Sequence, residues 1–334
     1  MRRLKIVEAL REALEQSMAV DPKVFLVGED VRIGGGFAVS RGLVERFGEH
    51  RVLDTPISEI AFSGLAIGAA MSGMRPVVEF QFGDFVFCAM DQIVNQAAKL
   101  HYMSAGQVDV PVTFRLPVGA NRRGAQHAQC TESLFLNVAG LRILTPATPY
   151  DAKGLLIAAI ADPNPVLFYE HKLLYPFAGS EILKSLNREV PAEPYTLPFG
   201  QAEIRREGRD LTVVATMLML HRALAAAEIL AREGIELEVI DPRTIAPLDR
   251  ETICASVGRT GRLLVVEECP EQGGWGNEII ASVAEKQGGS LKLRRLGTAP
   301  TPIPYTTSLE NWVVPDTGRI VEACRAMLKN GGAR

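Results

Sequence analysis

Residues 53 to 73 read LDTPISEIAFSGLAIGAAMSG, and the rest of the chain is best interpreted outward from this stretch. Glu59 begins a run that stays uncharged until Arg75. Pro56 favours extended backbone before the run, and Ser58 can cap a helix that starts at Glu59. One interpretation of Glu59 is therefore plain, because an acid in a first helical turn simply complements the helix dipole.

The residues behind Glu59 favour a second interpretation, in which the acid belongs to a site. They leave almost no side chain on any face of the helix, so another backbone can approach closely: Gly64, Ala66, Gly68, Ala69, Ala70, Ser72 and Gly73. A helix without a polar face is expected to be buried. A carboxyl group in the first turn of such a helix would then be partly desolvated, and it could share a proton with a ligand nitrogen.

On both sides of this helix, short apolar strands alternate with helices, among which we expect a short one capped by Ser40 that ends at Phe47 and a long one over residues 85–103. The strands are expected at residues 23–27, 75–80, 112–116, 141–144, 166–169, 211–215, 237–240, 262–267 and 291–296. Such alternation is typical of a parallel sheet covered on both faces. A proline-rich stretch interrupts it and is typical of a linker. The sequence therefore predicts an α/β protein with two doubly wound domains, residues 1–178 and a smaller 201–334, joined by a linker at 179–200.

Composition excludes several classes of protein. A net charge of −3 and the lack of a basic cluster argue against a nucleic-acid surface. Five scattered cysteines without a Cys-x-x-Cys motif indicate reduced thiols, as in a cytoplasmic protein. The most apolar run, residues 60–74, is shorter than the roughly 18 residues that a membrane span needs. We expect neither nucleic acid nor membrane as a partner.

Familiar chemical motifs are missing, with one loop as the exception. The five histidines lie far apart without metal-ligand spacing, and no Gly-x-Ser-x-Gly elbow is present. The glycines at 34–36 lack a strand-loop-helix pattern, so they favour a plain loop over a phosphate site. His127 differs, because it lies in a polar loop after a buried strand, where function often resides. The residues alone leave open whether His127 is catalytic.

Several segments together carry a resemblance to a known family. They are DTPISE (54–59), EFQFGDFVFCAMDQIVNQAAK (79–99), GAQHAQ (124–129), TPYDAKGL (148–155), YEHK (169–172), IDPRTIAPLD (240–249) and VEE (266–268). The chain strongly resembles, over essentially its whole length, the beta subunit of the decarboxylating component of thiamine-diphosphate-dependent 2-oxo acid dehydrogenases. Pyruvate, branched-chain 2-oxo acid and acetoin dehydrogenases are its members. The resemblance implies a pyrimidine-binding domain before the linker and a transketolase-type C-terminal domain after it.

The resemblance also implies roles for individual residues. Glu59 matches the acid that hydrogen-bonds a ring nitrogen of the aminopyrimidine and so activates the cofactor. Phe85 matches the aromatic residue packed on that ring, with Ile57 and Gln81 as lesser contacts. His127 matches the histidine that assists acyl transfer to a lipoyl group. A structural potassium ion, bound mainly through backbone oxygens, is implied at Val112, Ala159, Ile160, Asp162 and Asn164, where the alternative is an ordinary helix-end turn.

One expected motif is absent, and its absence predicts a partner. The family binds the diphosphate through magnesium with a Gly-Asp-Gly motif, whereas the only Gly-Asp here, Gly83-Asp84, precedes Phe85. We therefore expect an alpha subunit to supply the magnesium ligands in a two-alpha, two-beta heterotetramer, and a lipoyl-bearing acyltransferase to accept the acyl group. Ala128, after the histidine, and the pair Arg122-Arg123 depart from the common family pattern, so the 2-oxo acid substrate stays open.

Two other hypotheses remain at this point. The chain could be the C-terminal half of a split transketolase, which would share Glu59 and the fold but act on sugar phosphates. It could also be a catalytically silent subunit that only scaffolds a complex. The presence of Glu59, Phe85 and His127 favours an enzyme.

Overall fold

The computed structural model describes residues 2–181 and 183–329 and confirms the α/β fold class with two sheets. Across these residues the strands are β1 Val24–Gly28, β2 Val52–Asp54, β3 Arg75–Glu79, β4 Thr113–Val118, β5 Arg142–Leu144, β6 Val166–His171, β7 Glu203–Arg206, β8 Leu211–Ala215, β9 Leu237–Asp241, β10 Thr244–Ala246, β11 Arg262–Pro270 and β12 Lys292–Thr298. The α-helices are α1 Ile6–Val20, α2 Leu43–Phe47, α3 Glu59–Met71, α4 Ala98–Met103, α5 Pro149–Ala161, α6 Met217–Ala231, α7 Arg250–Thr260, α8 Gly276–Gln287, α9 Thr307–Val313 and α10 Thr317–Lys329.

The first sheet has seven strands in the order β10-β5-β6-β4-β3-β1-β2, and all are parallel except β10. Its central strands are buried along their whole length, which explains their unbroken apolar sequences. Helices α1 and α5 pack against each other, and α3 packs against β3 and against the segment that follows β3. The carboxyl ends of the parallel strands therefore share one edge, and the loops after them lie side by side.

The second sheet has five strands in the order β12-β11-β8-β9-β7, with β7 antiparallel to β9. Helices α6 and α10 pack together, as do α7 and α8, so the sheet is covered by two helix pairs. Burial is complete in β8 and β9, and in β11 only the two end residues are not buried. This is the second doubly wound unit that the alternation predicted.

Helix α3 begins at Glu59 as predicted, but two local expectations were wrong. Ser58 occupies the N-cap position, yet its side chain makes no capping hydrogen bond. The helix is also not buried all round. Ile60, Leu65 and Met71 are 50%, 52% and 44% exposed, while the opposite face, with Phe62 and Ile67, lies in the core. The chain therefore presents an apolar helix face beside Glu59.

The helix expected over residues 85–103 forms with irregular geometry. It starts as a 3₁₀ helix at Gly83–Ala89, widens to a π-helical stretch at Gln92–Ala97, and ends as α4. Wide helical turns of this kind occur often near functional sites. The first helix after β1 also differs from expectation, because it is capped by Gly42, whose φ is +84°, and not by Ser40.

Four short elements escaped the sequence patterns: β2, β7, β10 and α9. The most consequential is β10, which comes from the second half of the chain yet pairs antiparallel with β5 of the first sheet. A buried ion cluster supports this return, in which Arg243 Nε lies 2.9 Å from Asp151 Oδ1 and Arg205 bridges Asp151 and Asp241. The two halves thus share a sheet edge as well as charged contacts.

Candidate active site

A row of polar and aromatic groups lies at the carboxyl edge of the first sheet. Five neighbouring strands contribute to it in spatial order. The loop after β6 supplies Lys172, that after β4 supplies His127, that after β3 supplies Phe85, that after β1 supplies Glu29, and that after β2 leads to Glu59. The edge of a parallel sheet is where such folds bind ligands.

Two carboxyl groups form one end of this row. Glu59, the first residue of α3, and Glu29, directly after β1, are each only 8% exposed. Burial raises the pKa of Glu29 to about 7, and the neighbouring carboxylates of Glu59 and Asp30 add to the effect. Glu29 Oε1 is buried without a hydrogen-bond partner among the described residues. Glu29 can therefore hold a proton near neutral pH in the company of Glu59.

Sequence reasoning missed Glu29, since an acid after a strand looks like part of a solvated turn. The available signal was its position directly after a fully buried strand. Its neighbour Asp30 accepts a hydrogen bond from Gln81 Nε2 at 3.2 Å, which ties the loop after β1 to the one after β3. The structure thus brings the predicted residues Glu59 and Gln81 into one acidic corner.

Gly35 and Gly36, two glycines of the 34–36 triplet, are packing residues of this corner. A Cβ atom at Gly35 would overlap the Glu79 carboxyl group, and one at Gly36 would overlap the Gln81 amide. Gly35 also has a φ of +68°, a conformation that side chains disfavour. The triplet lets its loop close over the ends of β1 and β3.

Two aromatic rings pack around His127 in the next part of the row. The imidazole of His127 meets the ring of Phe82 edge-on, with centroids 4.6 Å apart, and that of Phe85 at 5.4 Å. Phe82 and Phe85 also meet edge-on at 5.7 Å. The structure therefore brings Phe85 and His127 into contact, and their roles in one site stay a prediction. Ile57 is 83% exposed, and its side chain lies outside this cluster.

The loop that carries His127 is held by hydrogen bonds from several elements. Asp84 Oδ1 accepts from the backbone and side-chain nitrogens of Gln129, at 3.1 and 2.9 Å. Lys172 Nζ donates to the His127 carbonyl at 2.7 Å. At the start of the loop, Ala120 N donates to Glu268 Oε1 at 2.6 Å, so β11 of the second sheet also fixes it.

Glu268 is itself oriented by a buried histidine. His171 Nδ1 accepts a hydrogen bond from Leu173 N, which leaves Nε2 as the donor to Glu268 Oε2 at 2.9 Å. Burial alone would raise the pKa of Glu268, but the His171 imidazole and the Ala120 N–H together keep that pKa below its usual value. The Glu268 carboxylate thus connects the second domain to the beginning of the His127 loop.

The residues predicted to bind potassium lie near the amino end of β3, away from the row. Their carbonyl oxygens already accept hydrogen bonds: Val112 O from Val166 N, Ala159 O from Asp162 N, and Ile160 O and Asp162 O from Arg75. Asp162 Oδ1 accepts from the backbone and side chain of Asn164, as in a helix-end turn. Potassium there stays a prediction.

The described residues contain neither a cluster of metal-ligating side chains nor a membrane-spanning helix. Within residues 2–181 and 183–329, no group of three or more His, Cys, Asp or Glu side chains could hold a metal ion. None of the helices in the same residues is long and apolar enough to cross a membrane.

Comparison with known proteins agrees with the geometry. Residues 2–178 match the family model of the transketolase pyrimidine-binding domain, and residues 200–320 match that of the transketolase C-terminal domain. A solved structure of a split-gene transketolase, an inactive beta4 tetramer, has the same fold. Its TM-score is 0.78 at 21% identity, with 98% of each chain covered.

Curated relatives are similar over nearly the whole chain. The beta subunit of the acetoin:2,6-dichlorophenolindophenol oxidoreductase of Cupriavidus necator is 44% identical, with 99% of each chain covered. The mitochondrial pyruvate dehydrogenase E1 component subunit beta-2 of Oryza sativa is 47% identical over 96% of this chain and 85% of its own. The 2-oxoisovalerate dehydrogenase subunit beta of Bacillus subtilis is 42% identical over 97% and 98%.

Proposed function

The chain belongs to the beta-subunit family of thiamine-diphosphate-dependent 2-oxo acid dehydrogenases, and from this premise we propose that its row of strand-end residues forms half of a thiamine diphosphate site. Members of this family are oxidoreductases built on the transketolase fold. The observation that carries the proposal is the buried Glu59–Glu29 pair beside the aromatic cluster of Phe85 and His127.

The residues present fit the aminopyrimidine part of the cofactor. Glu59 offers a carboxyl group at the head of α3, and the orphaned Glu29 Oε1 has no partner among the described residues. Phe85 offers an aromatic ring that is only partly covered, against which a flat heterocycle can pack. When bound, thiamine diphosphate supplies the carbon nucleophile and the electron sink for decarboxylation.

Glu59 and Glu29 would hold the proton that this chemistry requires. Because burial raises the pKa of Glu29 to about 7, Glu29 can hold a proton near neutral pH beside Glu59, whose carboxyl group is placed to hydrogen-bond a ring nitrogen. Glu29 then serves as its reservoir. Gln81 contributes by fixing Asp30, which faces the same corner.

His127 would act at the other end of the row. Its imidazole lies at the carboxyl edge of β4, half-buried against Phe82 and Phe85, so one ring face is covered while the side chain stays reachable. We assign it the proton transfer that accompanies movement of the acyl group to a lipoyl sulfur of a partner acyltransferase.

An alpha subunit would complete the site. The chain lacks the Gly-Asp-Gly motif, so we place the diphosphate and magnesium ligands on that subunit. The exposed face of α3, formed by Ile60, Leu65 and Met71, adjoins Glu59 and is the surface we assign to the alpha subunit in a two-alpha, two-beta assembly. Potassium at residues 112–164 and residence in the cytoplasm stay predictions.

Substrate choice is the part to be decided by experiment. Relatives that act on acetoin, pyruvate and 2-oxoisovalerate are all 42 to 47% identical to this chain, so similarity does not separate them. We would co-express the chain with its alpha subunit and follow thiamine-diphosphate-dependent dye reduction with pyruvate, branched 2-oxo acids, acetoin and sugar phosphates. Turnover of one of the first three, only by the pair, supports the proposal. Turnover of sugar phosphates alone would replace it with the split-transketolase hypothesis.

A further inference from the structure

Lys172 is a buried lysine beside the His127 loop to which no role has been assigned. It follows β6 directly and is only 4% exposed. Its single hydrogen bond among the described residues is the one from Nζ to the His127 carbonyl, at 2.7 Å. An ammonium group has three donors and loses much hydration on burial, so a site that buries it for one carbonyl calls for an explanation.

The ring of Phe82 extends the contact from the backbone of His127 to its side chain. Lys172 Nζ lies 5.3 Å from the centroid of this ring, and the Arg123 guanidinium lies 6.0 Å from it. The imidazole of His127 meets the same ring edge-on at 4.6 Å. A cation over an aromatic ring is attracted to its face. Lys172 thus restrains His127 in two ways, through its carbonyl and through the ring on which it packs.

Charged groups around Lys172 make this restraint sensitive to its surroundings. Burial lowers the pKa of Lys172 to about 8, while Asp84, Cys130 and Glu268 oppose the effect and Arg123 adds to it. Asp84 is the same residue that holds Gln129, two positions after His127. The ammonium group is therefore close to both carboxylates that hold the His127 loop, Glu268 at Ala120 and Asp84 at Gln129.

We propose that Lys172 is a positioning residue for His127, holding the imidazole where the acyl acceptor must approach it. The inference rests on the proposed function, because it gives His127 the acyl-transfer role. A positioning residue of this kind affects the step that uses His127 more than the step that uses Glu59, since the two groups lie at opposite ends of the row.

A second buried lysine provides a matched control. Lys153 is fully buried in α5, where Nζ donates to Glu12 Oε1 at 2.5 Å and to backbone carbonyls including Pro191 O at 2.6 Å. Its contacts, with α1, residues 191–193 and the Tyr195 ring, lie outside the row. If a buried lysine affects activity only by stabilising the fold, Lys153→Met and Lys172→Met should change acylation and dye reduction in the same proportion.

The test uses the assembled alpha–beta enzyme with Lys172→Met, Lys172→Arg, Lys172→Gln and Lys153→Met. Dye reduction reports decarboxylation alone, and acylation of an isolated lipoyl domain reports the transfer step. We expect Lys172→Met to lower the ratio of acylation to dye reduction by roughly tenfold or more through kcat, with the KM for the lipoyl domain little changed. Lys172→Arg, which keeps charge and donor, should restore most of the ratio, whereas Lys153→Met should leave it unaltered.

Hydrogen–deuterium exchange of the same proteins gives a readout independent of turnover. Lys172→Met should speed exchange at residues 119–130, and Lys172→Arg should not. An unchanged kinetic ratio in Lys172→Met overturns the inference, as does an equal fall in Lys153→Met. If Lys172→Met does not assemble, Lys172→Gln decides by the same criteria. A wild-type enzyme that acylates no lipoyl domain refutes the proposed function instead.

Discussion

The row of polar and aromatic groups at the carboxyl edge of the first sheet has two ends, which differ in how many contacts this chain supplies to them. The His127 end is held from four directions, by Asp84, Lys172, Glu268 and the aromatic rings of Phe82 and Phe85. At the Glu59 end, the carboxyl groups of Glu29 and Glu59 accept no hydrogen bond within residues 2–181 and 183–329, and α3 presents an uncovered apolar face. The comparison indicates that the chain preorganises the acyl-transfer end, whereas the cofactor end is completed by ligand and partner.

The strongest test of this comparison is Glu59→Gln. If the Glu59 end exists to hold a proton for the cofactor, the amide should lower dye reduction by the alpha–beta enzyme roughly a hundredfold or more. The chain should still assemble, because the substitution keeps size and polarity. Turnover within a few-fold of the wild type would show that the acid only complements the helix dipole.

Assembly tests the uncovered face next. Leu65→Glu puts a charge on the exposed side of α3, so association with the alpha subunit should weaken by roughly tenfold or more. Stability of the isolated chain should change by no more than about 0.5 kcal/mol, since Leu65 is half exposed. Titration by analytical ultracentrifugation measures the first effect and thermal unfolding the second.

Val20→Glu serves as the control for Leu65→Glu. Val20 is 78% exposed at the end of α1, away from α3. Equal loss of assembly in both variants, or in neither, would remove α3 from the interface.

The His127 end is tested by separating two partial reactions. His127→Gln should lower acylation of a lipoyl domain roughly tenfold or more, because a positioned proton donor is lost. Dye reduction, which uses the other end of the row, should fall far less. Parallel loss of both reactions would mean that the two ends do not act separately.

The smallest expected effect concerns stability and pH. The pKa of Glu29 is raised from 4.5 to about 7, so between these values the folded chain keeps a proton that the unfolded chain has lost. This contribution to stability is full below the lower value and is lost as pH rises through the upper one. Relative to wild type, Glu29→Gln should therefore gain thermal stability progressively from about pH 5 to 7.5.

The measurement is the difference in Tm between Glu29→Gln and wild type as a function of pH. Glu285→Gln, at an exposed position on α8, is the matched control and should give a flat difference. A flat difference for Glu29→Gln as well would contradict the burial of a shared proton at this end.

Sequence patterns predicted the alternating elements and the two sheets and singled out Glu59 and His127, while the family resemblance added Phe85 to the proposed site. They failed where the deciding contact joins distant segments. Glu29 became significant only when β1 was placed beside β2, and Lys172 only when β6 was placed beside β4. For α3 the sequence left open whether core or partner covers the apolar face, because an apolar helix looks the same in sequence in either case. Strand β10 is three residues long, too short for a periodic signal.

The return of β10 to the first sheet also bears on how such chains can be recombined. The linker at 179–200 is the obvious place to divide the chain between the two family domains. Residues 244–246 would then be separated from the first domain, and β5 would lose its outer neighbour in the sheet. Arg243 would be separated with them, so the buried Asp151 would lose this ion-pair partner. In a chimera of two relatives joined in the linker, β5 and α5 would come from one parent and β10 from the other, so their contacts would be mismatched. A workable exchange of domains must therefore take β5, α5 and β10 from the same parent.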